Sequence, residues 1–339
     1  MNEMDLKPPY LLFLGDAAND LDAKTALGLV HWRPEDCVGQ LRYANCRVDT
    51  GLPDMDIGQA RRAGARSLLI GVAPTGGALA PDWEITLAHA LDAGLDVISG
   101  MHTPLASLPR LANAAYRSAS RLIDIRRPPE NLPIASGKKR RGLRLLTVGT
   151  DCCVGKKFTA LALHQALRQR GVPADFRATG QTGIMIAGGG IPMDAVKADF
   201  LAGAAECLTP DQADDHWDIV EGQGSLFHPA YAAVTLGLLH GTQADALVLC
   251  HAVGRRQIDE YPDYQIPPLE ACLEHYLAAA RLTHPAARFV GVSLNTGDRP
   301  ASARAALLQD VTARTGLPCV DPLALGVDPL AEILADWRR

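Results

Sequence analysis

Leu145-Leu146-Thr147-Val148-Gly149-Thr150-Asp151-Cys152-Cys153-Val154-Gly155-Lys156-Lys157-Phe158-Thr159 reads as a strand, a loop between two glycines, and the start of a helix. That context turns a pattern of glycines into a mechanism. Gly149 and Gly155 let the backbone curl, so that successive N–H groups face one anionic centre. The helix start adds the positive end of its dipole, and Lys156 adds a point charge. The stretch therefore predicts a phosphate cradle from Gly149 to Lys156, extended by Lys157 and Thr159. It departs from the commonest pattern. Five residues separate its glycines, and Lys157 stands where a magnesium-binding hydroxyl is usual. Thr150 or Thr159 offers a substitute hydroxyl, but Thr159 is three residues into the helix. Such a loop suits holding phosphates rather than cleaving them. The bland alternative is a strand–helix turn with no ligand.

The segments that follow keep a strand-then-helix rhythm. Lys156–Arg170, Pro267–Arg281 and Ala301–Thr315 read as helices. Ala174–Arg177, Asp218–Glu221, Ala246–Cys250 and Arg288–Ser293 read as strands. Open α/β sheets place ligand contacts at the C-terminal ends of strands. Glu221, followed by Gly222-Gln223-Gly224-Ser225, is such an end, and a capped tight turn is its bland reading. Ala178-Thr179-Gly180-Gln181-Thr182-Gly183 is another, rich in small polar groups. His251-Ala252-Val253-Gly254-Arg255 is a third, and Arg255 and Arg256 could fork a carboxylate or phosphate. Surface arginines are the competing reading.

The first half repeats the rhythm. Tyr10–Leu14, Ser67–Ile70 and Asp96–Ser99 read as strands. Ala23–Leu29, Trp83–Ala93 (closed by Gly94) and Ala106–Ala119 read as helices. Gly15-Asp16 through Asp20, Gly71 through Gly77 and Ser99-Gly100-Met101-His102 close the strands. Three such ends on one sheet edge would make a crevice. Between them the halves predict an N-terminal Rossmann-like open-sheet domain, 1–127, and a C-terminal P-loop, doubly wound domain, 143–339. Prolines and the run Lys138-Lys139-Arg140-Arg141 mark 128–142 as a solvated linker.

Composition narrows the partners. The chain has 339 residues, 47% hydrophobic and 21% charged, with a net charge of -5 and 5% aromatics. No global attraction to nucleic acid or an anionic membrane follows from such a balance. No apolar run reaches the roughly 18 residues a spanning helix needs. No export signal is visible, and the eight cysteines lack Cys-x-x-Cys spacing. Reduced thiols in a cytoplasm and no metal site are expected. A homo-oligomer is expected for α/β surfaces of this type.

Two resemblances add to this reading. The Gly-Thr-Asp opening of the phosphate loop resembles dethiobiotin synthetase and its relatives. Leu14-Gly15-Asp16, Lys24-Thr25-Ala26, Leu52-Pro53-Asp54-Met55, Ile70-Gly71-Val72-Ala73, Ser99-Gly100-Met101-His102, the phosphate loop, and Glu221-Gly222-Gln223-Gly224-Ser225 together resemble the two-domain P-loop family of DgcN-type D-glutamate N-acetyltransferases. The resemblance spans nearly the whole chain. It implies acetyl transfer from acetyl-CoA to the amine of D-glutamate. Coenzyme A carries phosphates that a non-hydrolysing P-loop would suit. Acetyl transfer needs a base for the substrate ammonium. From strand-end positions, the candidates are Asp16, Asp20, His102 and Glu221. The substrate carboxylates need cationic or amide partners, for which Lys24, Arg177, Gln181, Gln223, Ser225 and Arg255 are candidates. Cys152 or Cys153 could carry the acetyl group, since a helix N-terminus lowers a thiol pKa; the competing reading is loop residues whose backbone matters. The alternatives are an ATP- and magnesium-dependent ligase or kinase of the dethiobiotin-synthetase type, and a nucleotide-sensing module.

Overall fold

A computed structural model describes residues 4–73, 79–297 and 299–337. The chain divides into two compact units. One comprises Met1–Pro128 with Gln181–Pro192, the other Pro129–Gly180 with Met193–Arg339.

The first unit runs β1 (Tyr10–Gly15), α1 (Lys24–Trp32), β2 (Cys37–Arg42), α2 (Ile57–Arg62), β3 (Ser67–Ile70), α3 (Pro81–Asp92), β4 (Asp96–Ser99), α4 (Pro109–Ser118) and β5 (Leu122–Asp124). Its described strands form a parallel sheet in the order β2-β1-β3-β4-β5. β1 is buried along its whole length, as a central parallel strand requires. β1, β3 and β4 are neighbours, so Gly15, Gly71 and Ser99-Gly100 do end on one sheet edge. Gly71 is needed there: a Cβ would come within 2.6 Å of the Ala26 methyl. The turn expected at Ala73–Gly77 lies outside the described residues from Pro74 onward.

The second unit begins with β6 (Leu143–Gly149), α5 (Lys156–Gln169) and β7 (Ala174–Arg177). A short helix, α6 (Gln181–Ala187), then belongs to the first unit. Its Thr182 hydroxyl pairs with that of Thr25 at 2.9 Å. The second unit resumes with α7 (Leu201–Leu208), β8 (Trp217–Val220), α8 (Ala232–Thr242), β9 (Ala246–Ala252), the hairpin β10 (Gln257–Ile258) and β11 (Tyr261–Gln265), α9 (Leu269–Arg281), β12 (Arg288–Asn295), α10 (Ala301–Thr315), β13 (Cys319–Val320) and α11 (Asp328–Ala335). The main described sheet is parallel, in the order β13-β12-β9-β6-β8-β7. The chain leaves β6 toward β7 and β8 on one side, then crosses to β9 on the other. The end of β6 is thus a topological switch point, where such sheets bind ligands.

Residues 130–141 are mostly exposed, and a few side chains fasten them to the second unit. The strand-free segment before β6 is a fastened strap. Arg140 donates to the carbonyls of Thr209 (2.7 Å), Gly241 (2.6 Å) and Thr242 (3.1 Å). These carbonyls lie at the C-terminal ends of α7 and α8, where a cation is favourable. Glu206 accepts from the backbone of Ser136 and Gly137, each at 2.8 Å. A basic run shows its charge in the sequence but not the distant carbonyls that consume it. Arg140→Ala should therefore destabilise the second unit by about 2–3 kcal/mol. Thermal unfolding checks this; an unchanged midpoint would sink it.

Candidate phosphate-binding site

Local backbone shape builds the loop. Gly155 takes φ 106, in the left-handed region, and precedes α5 without a side-chain cap. A Cβ on Gly149 would lie 2.8 Å from Val154 and 3.0 Å from the Lys156 ammonium. Lys156 is buried and reaches back to donate to the Asp151 carbonyl at 2.7 Å. The loop thus encloses its own cation at a helix start, which is an anion-binding arrangement.

Long-range contacts fix the loop. The buried Asp151 carboxylate accepts from the Cys152 N–H (2.6 Å), the Arg255 guanidinium (2.9 Å) and the Asp259 N–H (2.9 Å). A buried carboxylate is tolerable with such partners. Tyr276 donates its hydroxyl to the Gly149 carbonyl at 2.6 Å and accepts from the Leu226 N–H at 3.1 Å. The Thr150 N–H donates to the Cys250 carbonyl at 3.0 Å. Tyr276 and Asp259 were invisible to motif reading, because neither belongs to a local pattern. Cys152 is half-buried and Cys153 exposed at φ 54.

The candidate hydroxyls of Thr150 and Thr159 have partners within the protein. Thr159 is buried, donates to the Gly155 carbonyl at 3.0 Å, and pairs with Ser293 at 2.8 Å. It fastens the helix to the sheet. The Thr150 hydroxyl pairs with His251 Nδ1 at 2.9 Å. Neither replaces the hydroxyl that Lys157 displaces, so the first turn of α5 does not fit a magnesium ion of the usual kind. The other donor sets are little better. Asp151, Cys152 and His228 come together beside the Arg255 cation, and Asp175, His216 and Asp218 gather around Arg177.

Glu221 lies just past β8. It is buried and accepts from the N–H groups of Thr179 (2.9 Å) and Gly180 (3.0 Å). Burial pushes its carboxyl up, against those hydrogen bonds and the pull of Lys157 and Lys156. Gln223 donates to the Thr179 hydroxyl at 3.1 Å. Ser225 is buried and accepts from the Phe227 N–H at 3.2 Å, which makes it a turn-forming residue. Arg177 is engaged within its own sheet. Its guanidinium donates to Asp218 at 2.7 Å and Asp175 at 3.0 Å and is buried. A strand-end position did not reveal that the side chain points back along the sheet. Arg255 gives one guanidinium nitrogen, Nη1, to Asp151 (2.9 Å) and the Cys152 carbonyl (2.8 Å).

The remaining candidates belong to the first unit. Asp16, after β1, is exposed and accepts from the Trp83 indole at 3.1 Å. Asp20 is exposed, and Lys24 opens α1. His102 lies past β4; partial burial, then the Arg126 guanidinium, lowers its pKa. Gln181 is buried on α6; with its amide turned end for end it donates to the Gly100 carbonyl (2.9 Å) and accepts from Arg126 (3.2 Å).

His251, at the end of β9, gains importance. Burial, then Arg255, lowers its imidazole from 6.5 to about 4. The unfolded chain binds this proton at the higher pH. Stability from this group is therefore complete above about pH 6.5 and is lost as pH falls toward 4. The loss amounts to about 3 kcal/mol. His251→Gln should flatten this part of the stability–pH profile. Urea unfolding between neutral and acid pH tests it; a slope unchanged by the substitution would refute the assignment.

Comparison with known proteins follows the same two-part division. Residues 133–331 match a domain of unknown function (DUF1611_C) described as a P-loop domain. Residues 41–128 match the DUF1611_N Rossmann-like domain. A protein of Tritonibacter scottomollicae named D-glutamate N-acetyltransferase is 48% identical, over 97% of this chain and 99% of that protein. One of a Pseudoalteromonas species with the same name is 45% identical, over 96% and 98%. The crystal structure of a DUF1611 family protein from Anabaena variabilis superposes with a TM-score of 0.88 at 33% identity, covering 96% of this chain and 99% of that one. Among the described residues no helix is long and apolar enough to cross a membrane. With an N-terminal parallel sheet, a C-terminal P-loop and full-length relatives on both measures, the chain belongs to the DUF1611 family.

Proposed function

We propose that this chain is a D-glutamate N-acetyltransferase that uses acetyl-CoA. The observation that carries the reading is 48% identity, over 97% of the chain, to a protein of that name. The loop chemistry supports it. Gly149–Lys156 and the start of α5 would hold the phosphates of coenzyme A, with Lys156 supplying charge. Acetyl-CoA brings an acetyl group already activated as a thioester. The protein's own tasks are to grip the donor, orient the amino acid and accept one proton from its ammonium. Glu221 is the proposed proton acceptor in the second unit, because burial makes its carboxyl more basic. Asp16, Asp20 and His102 are the candidates in the first unit. All eight cysteines are free, which supports a cytoplasmic setting.

The ligase or kinase reading needs a magnesium ligand near the phosphate loop. Lys157 occupies the usual position, and Thr150 and Thr159 are engaged elsewhere. An assay with acetyl-CoA and D-glutamate, without nucleotide and with a metal chelator, separates the two. N-Acetyl-D-glutamate in the product mass spectrum supports the acetyltransferase. Product that appears only on adding ATP and magnesium moves the assignment to the ligase.

A further inference from the structure

Arg256 is placed differently from Arg255. Its side chain is exposed, and its guanidinium has no hydrogen bond or ion pair to any described residue. Its backbone is held, since its carbonyl accepts from the Ile266 N–H at 2.8 Å. Arg256 lines an open hollow of about 300 Å³ along the β10–β11 hairpin, together with Arg255, Asp259, Glu260 and Tyr261.

The hollow has a rigid wall tied to the phosphate loop. Asp259 donates its N–H to Asp151, Arg255 bonds the same carboxylate, and Ile258 is buried beneath. Glu260 sits at φ 65, a left-handed conformation that a non-glycine residue adopts at a cost. One wall therefore presents an unspent guanidinium and two carboxylates, with Asp259 3.8 Å from Arg255. Two arginines and two acids line the hollow, so its charges balance and a simple anion gains little from it. A small zwitterion with an extra carboxylate suits such a mixed lining: its distal carboxylate matches Arg256, and its ammonium the acidic side chains.

From this charge pattern we infer that the hairpin hollow is the amino-acid subsite, and that Arg256 selects a substrate with a distal carboxylate. The inference rests on the proposed reaction for the name of its ligand, D-glutamate. D-Glutamine serves as the probe, being nearly isosteric but uncharged at that end. Calorimetric titration of both amino acids into the wild type and Arg256→Gln tests the assignment without requiring turnover. The wild type should favour D-glutamate about tenfold. Arg256→Gln should erase that preference and leave coenzyme A affinity unchanged. No preference in the wild type, or one that survives the substitution, overturns the inference. So does a loss confined to coenzyme A binding, which would assign Arg256 to a phosphate. If the Arg256-dependent preference is seen but no acetyl transfer occurs, the proposed reaction falls and the subsite stands.

Discussion

Replacing Lys156 with alanine should weaken coenzyme A binding about 100-fold while leaving the fold intact. The side chain is buried within the phosphate loop, and its ammonium sits on the Asp151 carbonyl. A charge-assisted contact to a phosphate is worth up to about 3 kcal/mol, which is roughly two decades in affinity. The fold should survive, because losing the cation also removes its desolvation cost. Arginine should not rescue binding. Its planar fork does not fit a space shaped for one compact ammonium. Calorimetry with coenzyme A, alongside circular dichroism, checks both parts. Full affinity in the alanine variant would mean that the loop is not the phosphate site.

Gly222→Ala should give the largest loss of stability. The added Cβ would fall 1.7 Å from the Thr147 carbonyl oxygen. That atom belongs to β6, the strand carrying the phosphate loop, so no flexible side chain can yield. The Gly222 N–H also donates to the Thr147 hydroxyl at 3.0 Å and would be displaced with it. A cost above about 4 kcal/mol is expected. The unfolding midpoint should drop on the order of 10 °C. A variant that melts with the wild type would show that β6 and the Glu221 turn are not packed as described.

Elements with a clear local signature were legible in the sequence. β3, β4, β7 and α10 fall at the expected residues, because apolar runs or repeating faces are bounded by turn residues. α7 and α8 were missed. Both are apolar nearly all round and pack closely: a Cβ on Gly241 would come 2.1 Å from the Ala202 carbonyl. α8 carries no amphipathic period to read, and α7, at eight residues, spans only about two turns. β2 and β5 were missed because both are edge strands that are only partly buried. The phosphate loop was legible because its chemistry is contiguous. Its supports were not, because Asp151 meets Arg255 and Gly149 meets Tyr276 across more than a hundred residues. The same limit explains Arg177 and Arg140. The sequence places a cation but not the carboxylates or carbonyls that claim it.

In the proposed reaction the P-loop serves acetyl transfer rather than nucleotide cleavage. One reaction tests it most directly: purified protein with acetyl-CoA, D-glutamate, ATP and magnesium together, with free thiol, inorganic phosphate and N-acetyl product measured in parallel. One thiol should be released per N-acetyl-D-glutamate formed, and no phosphate. Phosphate released in step with product, without thiol, would contradict it.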